Sequence, residues 1–404
     1  QRLDAISRSP VYSHFTETLD GMPTIRAFGA SSRMAEVNAS RLDNNQAIYF
    51  VHMSSNRWLS LRLEFLGGLM IMSAAFFGVL NRDNLGSELI GLSLSYALSI
   101  TAQLNLMVRM STEAENSFNS VERIIEYTEL EPEAPEITDR RPPDGWPANG
   151  AVTIRNLEMK YRPDLPAVIQ DLSLDLAPGE KLGVCGRTGA GKSSLFQALY
   201  RIVEPSGNSR IEVDGVDIST LGLHDCRRAI SIIPQEPVLF SGTMRANLDP
   251  FHEYSDAQLW SALQKAQLFK LVEATSEKLD MPISEGGENL SVGQRQLVCL
   301  ARALLRPAKI LVVDEATANV DPATDSLIQQ AIREQFADRT TLTIAHRLNT
   351  IIDSDRILVL ERGNIKELDT PANLLAPEME GVGEFFALVD ETGPATSAFL
   401  RRAA

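Results

Sequence analysis

The residues that most sharply constrain the chemistry are Gly186-Arg187-Thr188-Gly189-Ala190-Gly191-Lys192-Ser193, which fit GxxxxGK[ST]. They follow the apolar run KLGVC and open the helical pattern SSLFQALYRI, the strand–loop–helix order such a loop needs. Glycines let backbone N–H groups close around phosphate oxygens, and the start of the following helix adds positive dipole. In that frame Lys192 reaches the β- and γ-phosphates and Ser193 ligates Mg²⁺, with Gly186, Thr188, Gly189, Ala190, Gly191 and Ser194 as the other expected phosphate contacts.

A second run, Lys309-Ile-Leu-Val-Val-Asp314-Glu315, is apolar throughout before it ends in two carboxylates, the pattern of a buried central parallel strand. Asp314 at the strand end can hold Mg²⁺ through water, and Glu315 is then free to orient or deprotonate an attacking water. Alone, such a pair is a solvated strand end; with the glycine loop it becomes a hydrolytic site. The stretch Leu290-Ser291-Val292-Gly293-Gln294 places a small loop at a helix N-terminus with Ser291 as cap, and Leu297, Leu300, Ala301 and Leu304 form one apolar face. That helix start is a second anion site, one that nucleotide in the local loop cannot also occupy.

These motifs need an α/β frame, and from Ala151 short β-rich runs (VTIRNL, VIQDLSLDL, KLGVCG) alternate with helical segments. Upstream lie two uncharged apolar runs, Phe65 to Leu80 with 16 residues and Leu89 to Val108 with 20. A membrane span needs about 20 such residues, so the second qualifies outright and the first once Trp58 to Glu64 extends it. Eight residues, NRDNLGSE, separate the two, which makes a tight antiparallel hairpin. Arg57, Arg62, Arg109 and Arg123 flank the outer ends and place them on the cytosolic side. The competing reading is two buried helices of a soluble helical domain, which the Ser, Gln and Asn content of the second run keeps open.

The resulting division is a membrane-domain fragment over 1–130 (cytosolic coupling region 1–55, spans over about 58–80 and 89–110, outer loop 81–88, cytosolic helix 111–130), an acidic Pro-rich linker over 131–148, an ATP-binding domain over 149–390 and a tail over 391–404. Within 1–49 the pattern reads as polar helix, turn, polar helix, broken near Asp20-Gly21-Met22-Pro23. The 404 residues carry a formal charge of −15, and the stretch from Glu113 to Asp144 holds ten acidic and three basic side chains. A bulk electrostatic case for nucleic acid is therefore absent. Cys185, Cys226 and Cys299 are far apart and without metal-ligand spacing, which indicates reduced thiols and no zinc. The first residues, QRLDAISRSP, read as an internal cut, so the chain is expected to be a fragment with further helices upstream.

Over residues 151 to about 370 the motifs, in order, resemble an ATP-binding cassette (ABC) domain, with LSVGQ as its signature. The resemblance implies that Tyr161 stacks on adenine, that Gln235 senses Mg²⁺ and couples to the membrane part, that Asn319-Val320-Asp321 is the D-loop with Asp321 at the nucleotide, and that His346 contacts the γ-phosphate. Lys192, Gln235, Glu315 and His346 are then the catalytic set, and Ser193, Gln235 and Asp314 the Mg²⁺ set. PVYSHFTETLDGMPTIRAF, VRMSTEAENSFNSVERIIEY, NLDPF and NLSVGQRQLVCLARALL narrow the likeness to the C-terminal half of subfamily C transporters of the multidrug-resistance-associated type. This implies a P-loop cassette preceded by an all-α, type IV exporter-like membrane fragment: the last two transmembrane helices and the second nucleotide-binding domain.

In such transporters two cassettes sandwich two ATP molecules. The partners implied here are the first nucleotide-binding domain and first membrane domain of the same full-length chain, membrane lipid and an organic-anion or conjugate substrate, with xenobiotic export from a plasma or vacuolar membrane and the nucleotide domain in the cytosol. The site on Gly186, Lys192, Ser193, Asp314 and Glu315 is the expected competent one. The other would use Ser291, Gly293 and Gln294, and Val292 stands where the common signature has glycine, which implies slow turnover there. The segment Ser9 to Phe15 resembles a coupling helix that docks on the opposite cassette. Arg109 fits both a substrate contact and a positive-inside anchor, and Leu106 departs from the tryptophan that some members carry after the asparagine aligned with Asn105. An ATP-gated channel or channel regulator of the same subfamily is the alternative function. A soluble cassette ATPase acting on DNA or ribosomes is disfavoured by the hairpin and the acidic linker.

Overall fold

A computed structural model of the chain describes residues 2–81, 86–314, 320, 322–345, 347–379 and 381–404. It divides into two units, Gln1–Pro132 and Glu133–Ala404.

The first unit is helical: α1 (Arg2–Asp20), α2 (Met22–Ala27), α3 (Ser31–Leu80) and α4 (Ser87–Thr128). Gly21 and Pro23 interrupt the chain between α1 and α2 as their backbone chemistry requires. The expected separation of a polar helix from the first span does not occur: no Gly or Pro lies between Ser31 and Leu66, so α3 is one rod of 50 residues. At 1.5 Å per residue it is roughly 75 Å long, more than twice a hydrocarbon core. Likewise α4 continues past the second apolar run without a break. Asn45 Nδ2 holds α3 to α1 by donating to Ser7 Oγ (2.9 Å) and Asp4 Oδ1 (3.1 Å), and Arg41 donates to the Pro10 carbonyl (2.9 Å). At the hairpin end Gly78 lets α3 approach α4, since a Cβ there would lie 2.9 Å from Ile90 Cγ2. Only 11% and 6% of the most apolar windows of α3 and α4 are buried within the chain. Side chains such as Phe65, Phe76, Phe77, Leu89 and Leu98 face outward, which is not how a soluble helical core disposes of them.

The second unit contains β1 (Val152–Met159), β2 (Ile169–Leu176), β3 (Lys181–Cys185), β4 (Arg210–Val213), β5 (Val216–Asp217), β6 (Ile230–Ile233), β7 (Gly242–Thr243), β8 (Pro282–Ile283), β9 (Ile310–Asp314), β10 (Thr340–Ile344), β11 (Arg356–Glu361) and β12 (Asn364–Asp369). Its helices are α5 (Lys192–Leu199), α6 (Leu223–Arg228), α7 (Met244–Leu248), α8 (Asp256–Lys265), α9 (Phe269–Glu273), α10 (Val292–Leu305), α11 (Pro322–Gln335), α12 (Pro371–Leu374), α13 (Glu384–Glu391) and α14 (Pro394–Ala403). An antiparallel sheet runs β2-β1-β4-β5, and a second sheet, mostly parallel, runs β12-β11-β3-β10-β9-β6. The β9 residues Ile310 to Val313 are all buried, as a central parallel strand demands.

Two boundaries differ from the sequence expectation. The segment 131–148 is not a free tether: from Glu133 onward it lies on the second unit. Arg227 grips Glu133 with two 2.9 Å hydrogen bonds, Arg141 pairs with Asp225, and Leu223 N and His224 N donate to the Pro135 and Glu136 carbonyls. Trp146 Nε1 donates to the Val213 carbonyl at 2.9 Å. Composition marked a linker because the partners of its charged residues, Arg227 for Glu133 and Asp225 for Arg141, are more than 80 positions away. The stretch 391–404 is not a loose tail either: Pro394 starts α14, and Leu400 is fully buried in a cluster with Phe385 and Val389 of α13.

Candidate nucleotide site

Strand register brings the motifs to one edge. Ile344 of β10 sits opposite Val184 of β3 on one side and Asp314 of β9 on the other, and Ile233 of β6 sits opposite Val313. The glycine loop after β3, the carboxylate end of β9 and the segment with Gln235 after β6 therefore leave the same carboxyl edge of parallel strands, where α/β sheets bind ligands. Two strand spacings, about 10 Å, separate the β3 and β9 ends. Glu315, Asn319, Asp321 and His346 lie outside the described residues, as do the side chains of Asn105 and Arg109.

The loop has the backbone that its glycines imply. Gly186 has φ +143°, and a Cβ there would run into the Leu360 carbonyl oxygen of β11. Ala190 N donates to Arg187 O at 3.1 Å and Ala190 O accepts from Gly363 N at 3.0 Å, so the β11–β12 turn braces the loop. Lys192 is 7% exposed, and its Nζ donates to the carbonyls of Gly186 (2.6 Å) and Arg187 (3.2 Å). The ammonium thus lies inside the loop, held in part by backbone oxygens. Gly191 and Ala190 are buried, whereas Thr188, Gly189 and Ser193 are exposed at the mouth. Ser194 is buried and its hydroxyl lies 2.9 Å from the Tyr161 hydroxyl, which ties the half-exposed Tyr161 ring to the first turn of α5. Ser194 therefore positions the aromatic side chain.

At the signature, Ser291 Oγ accepts from Gln294 N (3.2 Å) and Gln294 Oε1 accepts from Ser291 N (2.9 Å), a complete capping box on α10. Val292 faces outward at 37% exposure, while Gly293 is buried, with a Cβ there 2.9 Å from Thr324 Cγ2 of α11. The apolar face of α10 extends beyond the expected residues: Val298 and Cys299 are buried along with Leu297, Leu300 and Ala301.

Several side chains that build this edge gave no sequence signal. Gln296, 1% exposed, donates from Nε2 to the Pro234 carbonyl at 2.8 Å and so fixes the backbone beside Gln235. Arg302 donates to the carbonyls of Asn247 and Val238, and burial pushes its pKa down. Asn247 is itself bonded to Phe240 and Thr243, which shapes the NLDPF segment. Burial also pushes the Cys185 thiol, directly before the loop, up to about 12.

A glycine loop closed around a buried lysine, between a parallel strand and a helix, with an aspartate at a sheet position two strands away, defines a P-loop nucleotide-binding domain. Residues 169–318 match the ABC transporter family and residues 1–106 the ABC transporter transmembrane region. The chain is 50% identical over 393 residues to ATP-binding cassette sub-family C member 2 of Homo sapiens, covering 97% of this chain and 25% of that protein. It is 50% identical over 394 residues to ATP-binding cassette sub-family C member 3 of Homo sapiens, covering 97% of this chain and 26% of that protein. The fold matches a bacterial Atm1-family ABC exporter with ATP bound, at TM-score 0.80, 25% identity, 97% of this chain and 68% of that one. The chain belongs to the ABC transporters, and its relatives are of subfamily C. It is a membrane protein with an α/β nucleotide-binding domain behind a helical transmembrane region, and it spans about a quarter of the length of those relatives.

Proposed function

We propose that this chain is the ATP-hydrolysing half of an exporter that drives organic anions or conjugates out of the cytosol across a plasma or vacuolar membrane. The observation that carries the reading is the register that sets the Gly186–Ser193 loop, Asp314 and the Gln235 segment along one sheet edge. The subfamily likeness supports the organic-anion class, and the arginines flanking the apolar runs within α3 and α4 support a cytosolic nucleotide domain.

In this mechanism Lys192 exchanges its bonds to the Gly186 and Arg187 carbonyls for the β- and γ-phosphates of ATP, and the Tyr161 ring covers the adenine. Glu315 accepts the proton of the attacking water, His346 contacts the γ-phosphate, and Gln235 senses Mg²⁺ and couples the site to the membrane part. The residues fit Mg²⁺, since the exposed Ser193 hydroxyl and Asp314 are oxygen donors of the kind a hard cation takes. Bound there, Mg²⁺ would neutralise charge on the phosphates. Ser291, Gly293, Gln294 and Asp321 belong to the composite sites shared with the first nucleotide-binding domain of the full-length protein. Arg109 is carried as a substrate contact or a membrane anchor.

MgATP hydrolysis by the full-length protein in liposomes tests the site. Glu315→Gln is expected to abolish turnover and keep MgATP binding, and Lys192→Ala to abolish turnover and lose the MgATP held by this loop. Wild-type turnover in either variant would contradict the assignment.

A further inference from the structure

Arg187 is the one charged residue inside the glycine loop apart from Lys192, and it is absent from the expected phosphate contacts. Its Nε lies 3.3 Å from Glu384 Oε1 and its Nη2 lies 3.5 Å from Glu391 Oε1. Those carboxylates are seven positions apart on α13, two turns along one helix face. The first of them is itself fixed, because the Glu367 carboxylate of β12 accepts from Glu384 N (2.7 Å) and Phe385 N (3.0 Å) and caps the start of α13. Below the ion pairs, Cys185, the last strand residue before the loop, is 1% exposed in one cluster with Phe385, Val389 and Leu400 of α13 and α14. The same cluster takes in Ala345 and Leu348, on either side of His346. The C-terminal helices therefore meet the glycine loop through a charged rim and share an apolar cluster with the strand residue that precedes it.

We propose that α13 and α14 are a positioning element for the phosphate loop, with Arg187 as the positioning residue clamped by Glu384 and Glu391. This rests on reading Gly186–Ser193 as the nucleotide loop. The consequence is electrostatic as well as mechanical. Arg187 holds the loop at its first turn, where the Arg187 carbonyl accepts from both Ala190 N and Lys192 Nζ. It also neutralises two carboxylates that would otherwise face a site built for a polyanion. Loss of the guanidinium leaves those carboxylates unmatched beside the loop. Loss of the carboxylates leaves the loop unanchored on that side.

The experiment is equilibrium binding of MgATP to the full-length protein in detergent, with ATPase KM and kcat and the melting temperature read on the same samples. Arg187→Ala and the double variant Glu384→Gln/Glu391→Gln are each expected to raise the Kd about 3- to 10-fold, the span open to a pair of exposed charge contacts. KM should rise with Kd while kcat moves less. Arg187→Lys should recover most of the affinity, and the charge-exchanged combination Arg187→Glu with Glu384→Arg and Glu391→Arg should bind more tightly than Arg187→Glu alone. Unchanged Kd in all variants would overturn the proposal. So would a loss of affinity that tracks the melting temperature and is recovered by neither Lys nor the exchange, since that is plain packing. If the wild type binds no MgATP, the nucleotide reading falls, and this inference falls with it; binding that the variants leave intact removes this inference alone.

Discussion

Gln296 of α10 donates from Nε2 to the carbonyl of Pro234, 2.8 Å away, and so joins the helix that begins at the LSVGQ signature to the backbone immediately before Gln235. The side chain is 1% exposed, so the bond is made away from water and the carbonyl has no ready substitute. One hydrogen bond thus connects the two segments proposed to meet the other cassette and the membrane part. Gln296→Leu is expected to cost about 1–3 kcal/mol, the price of a buried acceptor left unpaired. It should also weaken the dependence of hydrolysis on the membrane part. Urea denaturation and ATPase assays on the full-length variant check both; an unchanged midpoint would show that the bond is dispensable.

Gly186 tolerates no side chain. Its φ of +143° is one that L residues rarely adopt, and a Cβ would strike the Leu360 carbonyl oxygen. Gly186→Ala is therefore expected to abolish MgATP binding at this loop, halving the number of sites in the full-length protein, while α-helical content is kept. Circular dichroism beside equilibrium binding reads this directly, and an undiminished number of sites in the variant would mean that the loop adapts around Leu360.

How much of this was legible from the chain depends on distance along it. The glycine loop, the strand into Asp314 and the Ser291 cap were legible because their chemistry is written in consecutive residues. Gln296 was not, because its partner is 62 positions away. Leu360 and Gly363 brace the loop from another strand pair and leave no local pattern. The apolar runs announce the hairpin, yet not the length of α3, because the change from polar to apolar composition near Trp58 carries no turn and the helix runs on through it to Leu80. Acidic residues near Glu133 read as a linker for the same reason: Arg227 is supplied by folding.

Asp214 ties the lead into β1 to the β4–β5 turn. Its carboxylate accepts from Asn149 N (2.8 Å), Gly150 N (3.1 Å) and Ala151 N (2.8 Å). Burial alone would raise its pKa, but these backbone donors outweigh it and hold it below the usual aspartate range. A depressed folded pKa contributes stability that is fully present above the unfolded value near ~3.9 and is lost as pH falls through the folded value. Asp214→Asn should flatten that acid-side slope. Denaturation midpoints measured downward from about pH 5 will show the difference, and parallel curves for the two proteins would contradict it.

The three cysteines are buried, and burial pushes Cys185 up to about 12 and Cys226 up to about 11, with Cys299 also raised. Since the thiolate is the reactive form, the native protein should react with Ellman's reagent far more slowly than the denatured protein, in which all three thiols become available. Fast labelling of any one of them in the native state would show that its covering layer opens.

ATP-dependent uptake of a labelled glutathione conjugate into inside-out vesicles carrying the full-length protein, compared with its Glu315→Gln variant, tests export most directly. Uptake by the wild type that vanishes in the variant is the expected result, with Glu315 at the working site. Intact MgATP hydrolysis with no uptake of any organic anion, accompanied by ATP-dependent currents, would contradict an exporter and support a channel or channel regulator.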